Sequence, residues 1–265
     1  MHRFHRLMLV LAGVSSFAAV PSSFATVASV SIDWSQLQTQ VLPISGLPAP
    51  SLTLSGQSTH LTTSASSAGD GSESLDHTLS NWTDAKNQVA HTTNADGAAN
   101  VSSSIISATA SATPPLSNVC CGSGSNGAVD RGASFSLSGP GSLVFSVPYA
   151  LSGTGSSFDF SDSSSVLINS SISFFSNEGG FSQSNKPINL ESFFTGSFSQ
   201  NGTLVFGIVA DAAGFGSLDV QLSASAGSFS GPVIPEPSVY LQLAAGLGAI
   251  VVIGGRRIAI VAKTV

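Results

Sequence analysis

The chain has 265 residues and only 8% of them are charged, where a soluble globular domain carries about 25%. Serine makes up about a fifth of the sequence, beside 27 Gly and 16 Phe, and the mean hydropathy is +0.33. Disorder driven by charge is excluded, because Phe, Val, Leu and Ile are present in quantity enough for a core over some 200 residues. Lys86, Arg131 and Lys186 are the only cations between the two basic termini, against thirteen carboxylates. A surface of that sign repels phosphate backbones, which excludes nucleic acid as a partner.

The first element is a targeting segment. His2, Arg3, His5 and Arg6 form a basic start, residues 7–20 an uncharged apolar run, and Ser23-Phe24-Ala25 places small residues at a cleavage exit. These are the three parts of a secretory signal peptide, here a signal helix over 1–25 that hands the chain to the secretion translocon. Cleavage is expected after Ala25, with Thr26-Val27-Ala28 as a second site.

Residues 26–232 read as one exported unit, an all-β antiparallel sandwich or jelly roll whose solvent faces are tiled with Ser and Thr. Helical pattern is confined to Thr83–Ala90, enough for two turns. The Ala-Ser stretch from Val101 to Ala112 is weakly patterned, and the sandwich is extended over it and the rest of the N-terminal half. Cys120 and Cys121 are adjacent, so they cannot staple distant parts of a fold; an exposed turn with a possible vicinal disulfide is expected. Gly122–Gly127 spells G-x-G-x-x-G without a βαβ unit around it, and reads as a flexible loop. Period-two alternation then marks strands at 134–137, 142–147, 165–168, 204–209 and 218–223. Turns are expected at Gly139-Pro140-Gly141, Gly153-Thr154-Gly155, Asn177–Gly180 and Gly214-Phe215-Gly216, and Asn201-Gly202 is the strongest hairpin signal, a type I′ turn.

At the other end Val239–Gly255 is an uncharged run of seventeen residues, roughly 25 Å long as a helix and just able to span a bilayer. Arg256, Arg257 and Lys263 follow it, and positive charge stays cytoplasmic. The body is therefore expected on the outer side of the inner membrane, with the C-terminus left inside.

Val233-Ile234-Pro235-Glu236-Pro237 stands before that helix. Pro235, Glu236 and Pro237, a short apolar helix and the Arg256-Arg257 pair together resemble the PEP-CTERM sorting signal of exopolysaccharide-producing Gram-negative bacteria, also catalogued as the ice-binding protein C-terminal domain. The resemblance covers 233–265. It implies an exosortase-type membrane protease as partner, transient inner-membrane anchoring with the body in the periplasm, then transfer to the cell surface or release. Two prolines also hold Glu236 in extended backbone that a protease cleft can grip.

Chemistry is sparse in the body. His60, His77 and His91 have no zinc or helical spacing, and neither H-E-x-x-H nor G-x-S-x-G occurs. Asp159 and Asp162 have oxygen chemistry suited to Ca²⁺, but read better as solvated loop acids. No catalytic, cofactor or metal residue is expected. The leading expectation is a non-enzymatic exported surface or matrix protein, structural or adhesive in an exopolysaccharide biofilm layer. A carbohydrate-binding or ice-binding-like module is the alternative, although Thr62-Thr63 and Thr92-Thr93 are adjacent and so point to opposite faces. A glycan-active enzyme comes third, since two Trp and two Tyr line a cleft poorly.

Overall fold

The computed structural model describes residues 25–114, 121–155, 162–193 and 196–230. The predicted signal segment up to residue 24, Cys120, Asp159 and everything from 231 onward, including Pro235-Glu236-Pro237, Val239–Gly255, Arg256 and Arg257, lie outside these. Among the described residues no helix is long and apolar enough to cross a membrane.

Among the described residues thirteen strands follow one another along the chain. They are β1 (Thr26–Asp33), β2 (Gln38–Pro43), β3 (Leu52–Ser67), β4 (Gly71–Leu79), β5 (Lys86–Thr92), β6 (Ala95–Val101) and β7 (Ile105–Ala112). They continue with β8 (Cys121–Leu137), β9 (Gly141–Thr154), β10 (Ser163–Ser176), β11 (Phe181–Phe193), β12 (Ser197–Ala210) and β13 (Gly214–Ser230). One sheet has the order β12-β9-β1-β7-β6-β5, with β2 also on β9, and the other β11-β10-β13-β8-β3-β4; every pairing is antiparallel. The expected all-β sandwich is what forms, and it takes in the N-terminal half.

Alternation explains why. In β9 and β10 each second residue is buried, giving inward runs Leu143, Phe145, Val147, Tyr149, Leu151 and Val166, Ile168, Ser170, Ile172, Phe174. The core tapers along the strands. One end is filled by stacked aromatic pairs, Phe135–Phe174 and Phe145–Phe206 with ring centroids 6.1 and 5.6 Å apart. The other is lined by Ala95, Ala110, Ala112, Ala226, Ser123 and Ser228, all buried. Toward that thin end, side chains vanish from the interface at Gly97 and Gly127. A Cβ on Gly127 would sit 2.8 Å from the Thr109 carbonyl oxygen and closer still to that of Ala98; one on Gly97 would sit 2.5 Å from the Ser64 carbonyl.

Arg131 is the polar node of the core. It is fully buried with no carboxylate partner among the described residues, donates from Nε to Thr59 Oγ1 (3.2 Å) and from Nη2 to the Ser102 carbonyl (3.2 Å), and lies 5.0 Å over the Trp34 ring. Desolvation pushes it down to about 10. Trp34, held inward by the single 3-10 turn that separates β1 from β2, meets Trp82 edge-on at 5.2 Å, and Trp82 Nε1 donates to the carbonyls of Ser58 and Gly132.

Several expectations are corrected. Asn201-Gly202 is no hairpin: both lie within β12, paired with Ala150 and Tyr149, and a Cβ on Gly202 would meet Tyr149 Oη at 2.8 Å, so the glycine makes room for the ring. Gly214-Phe215-Gly216 is likewise inside β13, where Gly216 lies between Phe174 and Phe135 on the flanking strands. The true reversal is Asp211–Ala213. Gly122–Gly127 is part of β8, laddered to β13 and β3, not a loop. Thr83–Ala90 is not helical, because Asn81 Oδ1 accepts from the backbone N of Thr83 (2.9 Å) and Asp84 (2.8 Å), closing a turn, after which Gln88, Ala90 and Thr92 alternate inward on β5. The Asn177–Gly180 turn stands, with Gly179 at φ +90°.

The backbone contact between sheets yields a test. Gly127→Ala forces a methyl against two carbonyl oxygens that no rotamer change can move, and should cost about 1–3 kcal/mol or more; a denaturant titration checks it.

Candidate functional site

The outer face of the β11-β10-β13-β8-β3-β4 sheet is the largest ordered surface the strands build, and its chemistry follows from the register. Each row across it takes one residue per strand, rows recurring at every second residue, roughly 7 Å along the strands, with neighbours about 4.8 Å apart. One row reads Gln183, Ser173, Ser217, Ser134, Ser55, with Ser173 and Ser217 hydroxyls hydrogen-bonded at 2.9 Å. Nearer the thin end another reads Glu191, Ser165, Ser225, Asn126, Ser64, Ser74, where Asn126 Nδ2 donates to Ser225 Oγ at 2.6 Å. Most positions here are uncharged donors and acceptors.

The row beyond the first serine row is aromatic. Phe175 pairs directly with Phe181 on β11 and with Phe215 on β13, with centroids 4.9 and 6.0 Å apart. Their side chains are 49%, 57% and 61% exposed. Three rings facing water, Phe175 stacked on Phe215 and tilted against Phe181, form a ridge, a feature a monomeric surface does not need for its own stability. The ridge lies at the thick end, while Thr26 begins β1 and Ser230 ends β13 at the thin end, roughly 50 Å of strand away.

Between the two serine rows sit the acids. Asp130 on β8 and Asp219 on β13 are diagonal neighbours, and Asp219 is hydrogen-bonded to Asp130. Partial burial, then that hydrogen bond and the neighbouring negative charge, push Asp219 up to about 7. Its Oδ1 and the Oδ1 of Asn169 on β10 are enclosed without a partner. Across the face His60 Nε2 meets Asp76 Oδ2 at 2.8 Å. On the other sheet His91 Nδ1 bonds Asp96, which holds the exposed imidazole above its usual value.

No family model matches the chain, and no curated protein matches it.

The residues singled out from sequence are scattered. Ala25 is exposed and immediately precedes β1. Cys121 opens β8 opposite Ser230, while its neighbour Cys120 lies outside the described residues. Asp162 is not a solvated loop acid: it is buried, and its Oδ1 accepts from Ser228 Oγ (2.8 Å) and the Phe229 backbone N (3.3 Å). The three histidines are held apart, and among the described residues no three His, Cys, Asp or Glu side chains gather as metal ligands. Residues missed from sequence are Phe175, Phe181, Phe215 and Asp219. One signal was available: Phe174-Phe175 are adjacent in a strand, so one of them must face out.

The Asp219 environment gives a pH dependence. Its folded value lies above the ordinary carboxyl value, so protonation favours the fold, and that contribution is complete below about 4 and lost as pH rises through about 7. Asp219→Asn should therefore raise the melting temperature at pH 8 by a few degrees and change it little at pH 4. Thermal melts of both chains at the two pH values decide this.

Proposed function

We propose that this chain is an exported, non-enzymatic surface protein, sorted through Pro235-Glu236-Pro237 and acting as a structural or adhesive element against neutral polysaccharide. The observation that carries the reading is the ridge of Phe175, Phe181 and Phe215 beside the Ser173-Ser217-Ser134-Ser55 row, an apolar strip next to a lattice of uncharged hydroxyls. Sugars present that same alternation, C–H faces that shed water against rings and hydroxyls that exchange hydrogen bonds with serine. The acid excess of the body disfavours uronate-rich chains. Carbohydrate binding is thus the way the adhesive role is exercised.

Export and anchoring are supported by where the strands end. Both Thr26 and Ser230 lie at the thin end, so a C-terminal membrane helix over 239–255 tethers that end and leaves the ridge pointing away. Signal cleavage after Ala25 is favoured over cleavage after Ala28, which would remove buried Thr26 and Ala28 and three rungs shared with β7. An exosortase-type protease acts next, reading Glu236 between Pro235 and Pro237.

Two measurements test this. Binding to insoluble neutral glucans should weaken about 5–30-fold in Phe175→Ala/Phe215→Ala, the effect of losing roughly one to two kcal/mol of apolar burial, with the circular dichroism spectrum unchanged; equal binding by both chains rejects the face. Glu236→Ala should leave the melting temperature unaltered yet accumulate as uncleaved membrane precursor in a cell that has the protease. Processing at the wild-type rate rejects the sorting role.

A further inference from the structure

Among the described residues the sandwich has five strands with an unpaired edge, β12, β5 and the short β2 in one sheet, β11 and β4 in the other. An edge exposes a row of unpaired N–H and C=O groups that will pair with any extended chain, and proteins blunt it with charge, proline or a cover. Four of the five are blunted, β2 by its six-residue length and its closing Pro43. β4 carries Glu73, Asp76 and His77; β5 carries Lys86 and His91; β11 carries Lys186, Pro187 and Glu191. The β4 and β5 edges are also laced together, since Glu73 Oε2 accepts from the backbone N of His91 at 2.7 Å.

β12 is different. Its fourteen residues, Ser-Phe-Ser-Gln-Asn-Gly-Thr-Leu-Val-Phe-Gly-Ile-Val-Ala, contain no charge and no proline, and its ladder partner is β9 alone. Val205 and Val209 stand 51% and 63% exposed on its outer side. A surface groove runs along this edge, lined by Ser142, Val144, Val205 and Val209 with Ser182 and Ser184 of the facing sheet.

We propose that β12 is the edge through which two copies of this chain join, strand beside antiparallel strand, into one continuous sheet. The charge pattern selects the occupant. The body carries thirteen carboxylates against three cations, so two copies approaching at most places set like charges together. At β12 none meet, and antiparallel pairing about a two-fold axis matches every unpaired amide of one strand with a carbonyl of the other. The outward valines of the two copies then share one apolar patch. This inference is independent of the polysaccharide reading, because the Phe ridge is on the other sheet.

The test uses the full chain purified in detergent, sized by light scattering at micromolar concentration. Wild type is expected to be dimeric. Val205→Lys/Val209→Lys and Val205→Glu/Val209→Glu should each be monomeric, the dissociation constant raised at least about tenfold, with melting temperature and circular dichroism held. Mixing the two variants should restore the dimer, since opposite charges now face across the seam. A charge control, Ser165→Lys on the other sheet, should leave the dimer intact. A monomeric wild type, a Lys variant that stays dimeric, a mixture that stays monomeric, or a Ser165→Lys chain that dissociates would each overturn the proposal.

Discussion

At Gly97 and Gly127 the two sheets meet backbone to backbone, and that contact fixes how far apart they lie and which side chains can occupy the rest of the interface. Ordinary sandwiches keep their sheets about 10 Å apart because a layer of side chains from each face lies between them. Here the layer thins to Ala95, Ala99, Ala108, Ala110 and Ala112 along β6 and β7, then disappears at the glycines. Toward the other end it thickens into Phe135, Phe145, Phe174 and Phe206. Strands of up to seventeen residues are long enough to pass from one regime to the other, so a single sandwich holds both.

Glycine has a second use in the same sheets. Gly122 faces Phe229, Gly153 faces Phe198, Gly202 faces Tyr149 and Gly216 faces Phe135, each pair directly across a rung. The ring folds over the backbone that the missing side chain leaves bare, which restores apolar burial where a strand would otherwise be weakest. Gly216 lets the Phe135 and Phe174 rings stack inward, and the alternation then forces Phe175 and Phe215 outward as partners on the opposite face. The exposed ridge is thus built by the same register that builds the core.

This explains what was legible in the sequence. Strands at 134–137, 142–147, 165–168, 204–209 and 218–223 showed themselves because large apolar residues alternate with serine there. Within the weakly patterned stretch Val101–Ala112, β7 (Ile105–Ala112) is strand for the same reason of alternation, but its inward residues after Ile106 are alanines, whose contrast with serine is slight. Asn201-Gly202 and Gly214-Phe215-Gly216 misled because turn chemistry and aromatic pairing both ask for glycine, and only the partner strand tells them apart. Asp219 had no signal at all: its neighbour Asp130 is distant in sequence and becomes adjacent only when β8 and β13 pair.

A chain with so few charges must stay dispersed by other means, and the positions of those few show how. Hydroxyls hydrate the faces, while Glu73, Asp76, Lys86, Lys186 and Glu191 stand on β4, β5 and β11, where an unpaired edge would otherwise recruit another strand. Arg131 is a cation spent inside the core, where it lies over Trp34, bonds Thr59 Oγ1 and caps the Ser102 carbonyl across the sandwich. With edge protection resting on so small a supply of charge, a fourteen-residue edge strand with neither charge nor proline is conspicuous. β12 lies along the side of the molecule, and the Phe ridge stands at the end away from Thr26 and Ser230. The lateral joining and the distal contact proposed above therefore do not compete for surface, and one layer of copies has room for both at once.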